Sequence, residues 1–78
     1  MPSKTIDSFL LEFSGELLVE GEHWGAFVSI LAPSSNPMHM TSIVPKRRVA
    51  TEQTFTDQHA AEAEAERAAT ELLEEMRH

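Results

Sequence analysis

The sequence predicts an α+β fold: a three-stranded antiparallel sheet covered on one face by a single C-terminal helix. Three observations predict it. Residues 8–19 alternate apolar and polar side chains with a period of two. A second apolar run, "HWGAFVSILA", follows the turn signal "EGE". The chain then ends in "TDQHAAEAEAERAATELLEEMRH", a stretch of strong helix formers with no Gly or Pro. Strands followed by one helix give an α+β domain, and 78 residues make one domain, 1–78.

The first strand is expected over about 8–19. Phe9, Leu11, Phe13, Leu17 and Val19 share one parity, while Leu10 and Leu18 join Glu12, Ser14, Glu16 and Glu20 on the other. Gly15 marks a candidate bulge. The second strand, 23–32, is apolar on both faces, with Trp24, Ala26, Val28 and Ile30 on one and Phe27 and Leu31 on the other. "PSSNP" opens a loop over 33–45, because its prolines lack the N–H a ladder needs. Residues 40–44 read either as a short extended piece or as part of that loop. Val49, Thr51, Gln53 and Phe55 share a parity, which places the third strand at 47–55.

The helix is expected over 57–76, with Thr56 or Asp57 as its N-cap. If Thr56 is the cap, Phe55 and Ala60 stand where a hydrophobic staple belongs. Arg77 suits the C-terminal end of the dipole. Ala61, Ala65, Ala68, Leu72 and Met76 form the apolar stripe, with Ala69 and Leu73 on its flank.

The order of elements, with "TF" just before "DQHAAEAEAERAATELL", resembles small uncharacterised bacterial proteins of β-β-β-α type. Residues 23–75 are also similar in outline to the latter part of the double-stranded-RNA-binding domain. That resemblance implies the fold and not RNA binding. The family sets a lysine cluster at the start of its last helix, where this chain has Thr56, Asp57, Gln58, His59 and Glu62, and the family's first helix has no counterpart.

Composition excludes several functions. There is no cysteine, hence no disulfide, thiolate zinc site or cysteine nucleophile. Thirteen acids against six Lys and Arg give a net charge of −7, which repels phosphate backbones. Residues 57–78 alone hold seven acids and two bases. No stretch approaches the ~20 apolar residues of a membrane span, and the first residues hold no apolar run of signal-peptide length. A cytoplasmic protein with no membrane partner is expected.

Few residues point to chemistry. Met38, His39 and Met40 bring thioethers and an imidazole together, as a Cu(I) site requires. Neighbours in extended chain point to opposite sides, however, so a loop is the simpler reading and no metal is expected. His23, His59 and His78 lack ligand spacing. The helix glutamates at 62, 64, 66, 71, 74 and 75 lie on a solvated face rather than in a cleft. No nucleophile elbow or phosphate-binding glycine loop is present. The chain is therefore expected to be no enzyme, with no catalytic residue and no cofactor.

"KRR" is the one basic run. Lys46, Arg47 and Arg48 form a candidate basic patch, or else protect a sheet edge and pair with helix carboxylates. Trp24 is read as core rather than as a binding anchor. Leu10, Leu18, Phe27 and Leu31 fall on the sheet face opposite the one given to Phe9, Leu11, Phe13, Val19, Trp24 and Val28. No second helix covers them, so they are expected to form a contiguous interface. The leading expectation is a small protein-interaction or adaptor domain, homodimeric or bound to another protein. Two alternatives stand beside it: an acidic inhibitor that mimics nucleic acid, and a weak nucleic-acid binder acting through Lys46–Arg48.

Overall fold

The computed structural model describes residues 2–19, 21–33 and 40–76. Four strands, β1 (Ser3–Ile6), β2 (Phe9–Leu17), β3 (Trp24–Pro33) and β4 (Met40–Val49), precede one helix, α1 (Gln58–Met76). They form a single antiparallel sheet in the order β1-β2-β3-β4. The sheet thus has four strands where the sequence predicts three.

The additional strand is β1. It pairs with β2 from Ser3↔Glu12 to Ile6↔Phe9. Only Asp7 and Ser8 join the two strands, and both have positive φ, 49° and 72°. A two-residue hairpin of the I′ type needs that conformation at both positions, and glycine or asparagine usually supplies it. Here Asp and Ser do so, and the turn escapes a reading that looks for glycine.

The last strand is displaced. It runs over Met40–Val49 and not 47–55, so half of the expected 33–45 loop is strand. Pro45 does not break it, because β4 is an edge strand and can spare a ladder N–H. The pairing slips twice. Arg47 faces Val28 and Val44 faces Ile30, so Pro45 and Lys46 together oppose one residue of β3. Ser42 then faces Leu31, leaving Ile43 as a second extra residue. These bulges break the period of two that the sequence reading relies on. After Val49 the chain turns at Ala50 (φ 50°) and touches the sheet once more, at the isolated bridge Trp24↔Phe55.

The pairing of β2 with β3 is unbroken from Leu10↔Leu31 to Leu17↔Trp24, so Gly15 is not a bulge. It is where the helix lands. A Cβ built on Gly15 would lie 2.5 Å from the Gln58 carbonyl oxygen and 2.8 Å from the Ala61 Cβ. The Gln58 side-chain amide donates to the Gly15 carbonyl across the same contact, at 3.3 Å.

Asp57 caps the helix: its Oδ1 accepts from the Ala60 N–H at 2.7 Å. With Asp57 as cap, the expected Phe55–Ala60 staple is out of register. Arg77 lies outside the described residues. The helix packs on β2 and β3. Its buried line is Ala61, Ala65, Ala69 and Leu73, not the expected line through Ala68, Leu72 and Met76. Ala68 and Leu72 are half-buried, and Met76 is 45% exposed. A row of fourfold spacing runs obliquely, about 26° from the helix axis, and three alanines let its first turns sit close to the strands. Leu11, Phe13, Ala26, Val28 and Ile30 complete the core from the sheet, flanked by Ile6, Phe9, Val44, Val49, Phe55 and Leu72.

Candidate functional site

With α1 on one side, the other side of the sheet faces outward. Strand alternation and the register assign its residues in rows. Thr5, Leu10, Leu31 and Ser42 make the first row; Ser3, Glu12 and Ser29 the second; Ser14, Phe27 and Arg48 the third; Glu16 and Gly25 the fourth. Leu18 folds over the end of this surface, since a Cβ on Gly25 would meet its Cδ2 at 2.8 Å. Leu10, Leu18, Phe27 and Leu31 are therefore together on the open face, and each is half-buried. They do not form one continuous patch. Leu10 and Leu31 pair directly at one end, Phe27 and Leu18 lie toward the other, and the Glu12–Ser29 row divides them.

The third and fourth rows are tied together electrostatically. Lys46 reaches across β3 from β4 to form an ion pair with Glu16 on β2. On the way its ammonium passes 5.6 Å from the centroid of the Phe27 ring. The Ser14 hydroxyl donates to the same Glu16 carboxylate at 2.9 Å. The hydrogen bond from Lys46 holds the Glu16 carboxyl below the usual carboxylate range; partial burial opposes this, and Ser14 and the Lys46 charge reinforce it.

The basic run is split by this arrangement. Lys46 pairs with a sheet carboxylate rather than with the helix. Arg48 lies over Gly25 beside Phe27 and donates to the Gln53 carbonyl at 3.2 Å. Its Nε is buried without a hydrogen-bond partner among the described residues. Arg47, opposite Val28, projects to the helix side. There it lines a shallow cleft of about 180 Å³ with Val49, Ala68, Leu72 and the carboxylate-bearing Glu71 and Glu75. The three cations thus do not share a surface.

The helix exterior is acidic and partly self-paired. Arg67 binds Glu64 and Glu71, and Lys4 on β1 reaches Glu66 at 3.3 Å. The Arg67 hydrogen bonds hold the Glu64 carboxyl below its ordinary value and raise the guanidinium's own.

Trp24 is half-buried and lies outside the core cluster. Val19, expected to face the helix, is fully exposed at 106%. Met38 and His39 lie outside the described residues, as does the side chain of Met40. Among the described residues no group of three or more acids and histidines is placed to hold a metal ion, and no helix is long and apolar enough to cross a membrane. The contact between Lys46 and Phe27 is absent from the sequence reading. Nineteen positions separate the two residues, and the pairing of Arg48 with Phe27 sets Lys46, two residues earlier, on the same face.

Compared with protein-family models, curated proteins and solved structures, the chain matches none.

Proposed function

We propose that this chain is a small non-enzymatic interaction domain that docks another protein surface on the open face of its sheet. One observation carries the reading: the distribution of charge. The open face holds Glu12 and Glu16 against Lys46 and Arg48, a net charge of zero, among four large apolar side chains. The helix Gln58–Met76 holds six acids and one base. A chain of net charge −7 thus keeps one neutral, partly apolar surface apart from its acidic one, and docking there meets the least charge repulsion.

The nucleic-acid reading is weaker. Phe27 does supply an aromatic beside the bases, but Glu16 already satisfies Lys46, and Arg47 points to the opposite side. Mimicry of nucleic acid by the helix also ranks lower. Glu64 and Glu71 share Arg67 and Glu66 pairs with Lys4, so half of the six helix carboxylates are already engaged within the chain.

The test is co-purification from the source cell with tagged wild type and tagged Phe27→Glu. The wild type retains a protein partner, either its own untagged copy or another chain, that the variant loses while keeping its helical circular dichroism. Equal retention by both overturns the reading.

A further inference from the structure

We infer that the occupant of the open face is a second copy of this chain, related by a two-fold axis that runs parallel to the strands between β2 and β3. The inference rests on the docking reading above and commits it to one partner and one geometry.

The register supplies the argument. Four rows cross the β2–β3 pair on the open face: Leu10–Leu31, Glu12–Ser29, Ser14–Phe27 and Glu16–Gly25. Rotation about an axis between the two strands exchanges the members of each row. Leu10 then meets the partner's Leu31, and Leu31 meets the partner's Leu10. Glu12 faces the partner's Ser29, whose hydroxyl can donate to it. Phe27 lies against the partner's Ser14, and Glu16 against the partner's Gly25. In the other three rows a large side chain meets a small one, as interdigitating sheets require, and none of the four rows sets two like charges together. The alternative in-plane axis, across the strands, has no such match. Through the second row it sets Glu12 on the partner's Glu12, between the second and third rows it sets Leu10 on the partner's Glu16, and through the first row it leaves the other three rows without a facing row. Like charges so placed oppose association.

Charge and area agree with this geometry. Stacking the open faces puts both acidic helices on the outside. They are then separated by one sheet–sheet and two helix–sheet spacings, roughly 30 Å at about 10 Å each. That is several times the ~8 Å screening length of physiological salt. Eight paired positions from Leu10 to Leu17 span ~27 Å, and four strands span ~19 Å. The footprint is therefore about 500 Å² per copy and about 1,000 Å² in total. That sits at the lower bound for a specific interface, so the association is weak and micromolar.

The experiment mixes two variants. Leu10→Glu and Leu31→Lys chains are each prepared alone, checked for native circular dichroism, and sedimented at about 100 µM, a concentration suited to a micromolar complex. Wild type is expected to sediment as a dimer. Each variant alone is expected to weaken association by about a hundredfold or more, since it buries an uncompensated charge. The one-to-one mixture is expected to recover dimer, because the carboxylate introduced at position 10 of one chain now meets the ammonium introduced at position 31 of the other. Isotope-filtered NMR on mixed-label wild type gives a readout that needs no variant: contacts between the Leu10 methyls and those of the partner's Leu31. A monomeric wild type at this concentration overturns the second copy, and leaves the docking reading to the co-purification test. A dimer that survives both single changes, a mixture that stays monomeric, or a dimer without those methyl contacts overturns the geometry while the docking reading stands.

Discussion

Replacing Gly15 with alanine puts a methyl group where the helix backbone already sits. The added Cβ would lie 2.5 Å from the Gln58 carbonyl oxygen, 2.8 Å from the Ala61 Cβ and 3.1 Å from the Glu62 nitrogen. Two of these three are backbone atoms and the third is fixed to the backbone, so no rotamer change relieves the contact. Since carbon atoms pack best at about 3.5–4.0 Å, the first turn must lift by about 1 Å. Lifting it strains the hydrogen bond from Gln58 to the Gly15 carbonyl and loosens the alanine row behind it. Overpacking of this kind costs about 1–3 kcal/mol, or roughly 5–20 °C of melting temperature in a domain of this size. Gly25→Ala is the control. Its new Cβ would meet the Leu18 Cδ2 at 2.8 Å, the Arg48 Nε at 3.1 Å and the Phe27 Cε1 at 3.4 Å, all of them side-chain atoms on the open face that can swing away. Alanine also recovers up to about 0.5–1 kcal/mol of strand stability over glycine. Urea and thermal unfolding, followed by helical circular dichroism, compare the two. If Gly15→Ala stays within about 0.5 kcal/mol of wild type, or costs no more than Gly25→Ala, the seating of the helix on β2 is wrong.

Other substitutions test the remaining contacts. Leu73→Ala, at a fully buried position, is expected to cost about 2–5 kcal/mol, and Leu72→Ala, half-buried on the flank, less than half of that in the same denaturant series; the reverse order would return the stripe to Leu72. Asp57→Ala should remove the N-cap at about 1 kcal/mol, while Thr56→Ala leaves the melting temperature close to wild type. Ser8→Gly should stabilise the β1–β2 turn by about 1 kcal/mol, because Ser8 has φ 72°, a conformation costly to any residue with a Cβ. Glu16 provides a pH test. Its folded value is lowered by Lys46, so its contribution is present above the ordinary carboxylate range and is lost as pH falls through the lowered value. Stability measured from pH 5 down to about pH 3 should therefore fall less steeply in Glu16→Gln than in wild type, and parallel curves would dissolve the ion pair.

What the sequence makes legible is local periodicity, and its failures occur where tertiary geometry overrides period. The β2–β3 hairpin and the helix are readable because alternation and helix propensity hold over nine or more residues in each. β1 is only four residues long and enters through a turn without glycine. β4 carries two bulges, so Arg47 and Val44, three apart, share a face that parity denies them. On the helix, Ala61, Ala65, Ala68, Ala69, Leu72, Leu73 and Met76 make an apolar arc wider than one line. Which line meets the sheet is decided by Gly15 under Ala61, a contact between residues 46 positions apart. The open face follows the same rule. Parity correctly puts Leu10, Phe27 and Leu31 on one side, but the bridge from Lys46 over Phe27 to Glu16 spans three strands and has no local signal.

The two edges of the sheet explain why association should proceed through the face. A free strand edge invites another chain to add to it, and proteins block this with short strands, prolines, bulges and charges. β4 has all but the first: Pro45, two bulges, and Lys46, Arg47 and Arg48. β1 is short, and its Lys4 turns to the helix and pairs with Glu66. Sideways growth is thus opposed at both ends. The helix side is taken up over β2 and β3, and its flank at β4 is a shallow cleft edged by Arg47 and carboxylates. What remains is the open face, where the chain sets equal numbers of opposite charges among leucines and a phenylalanine. A core of this size gains little margin from burial alone, and an association that the unfolded chain lacks adds to it in proportion to concentration. The open face should accordingly make the melting temperature of the wild type rise with protein concentration, and that dependence should vanish in Phe27→Glu.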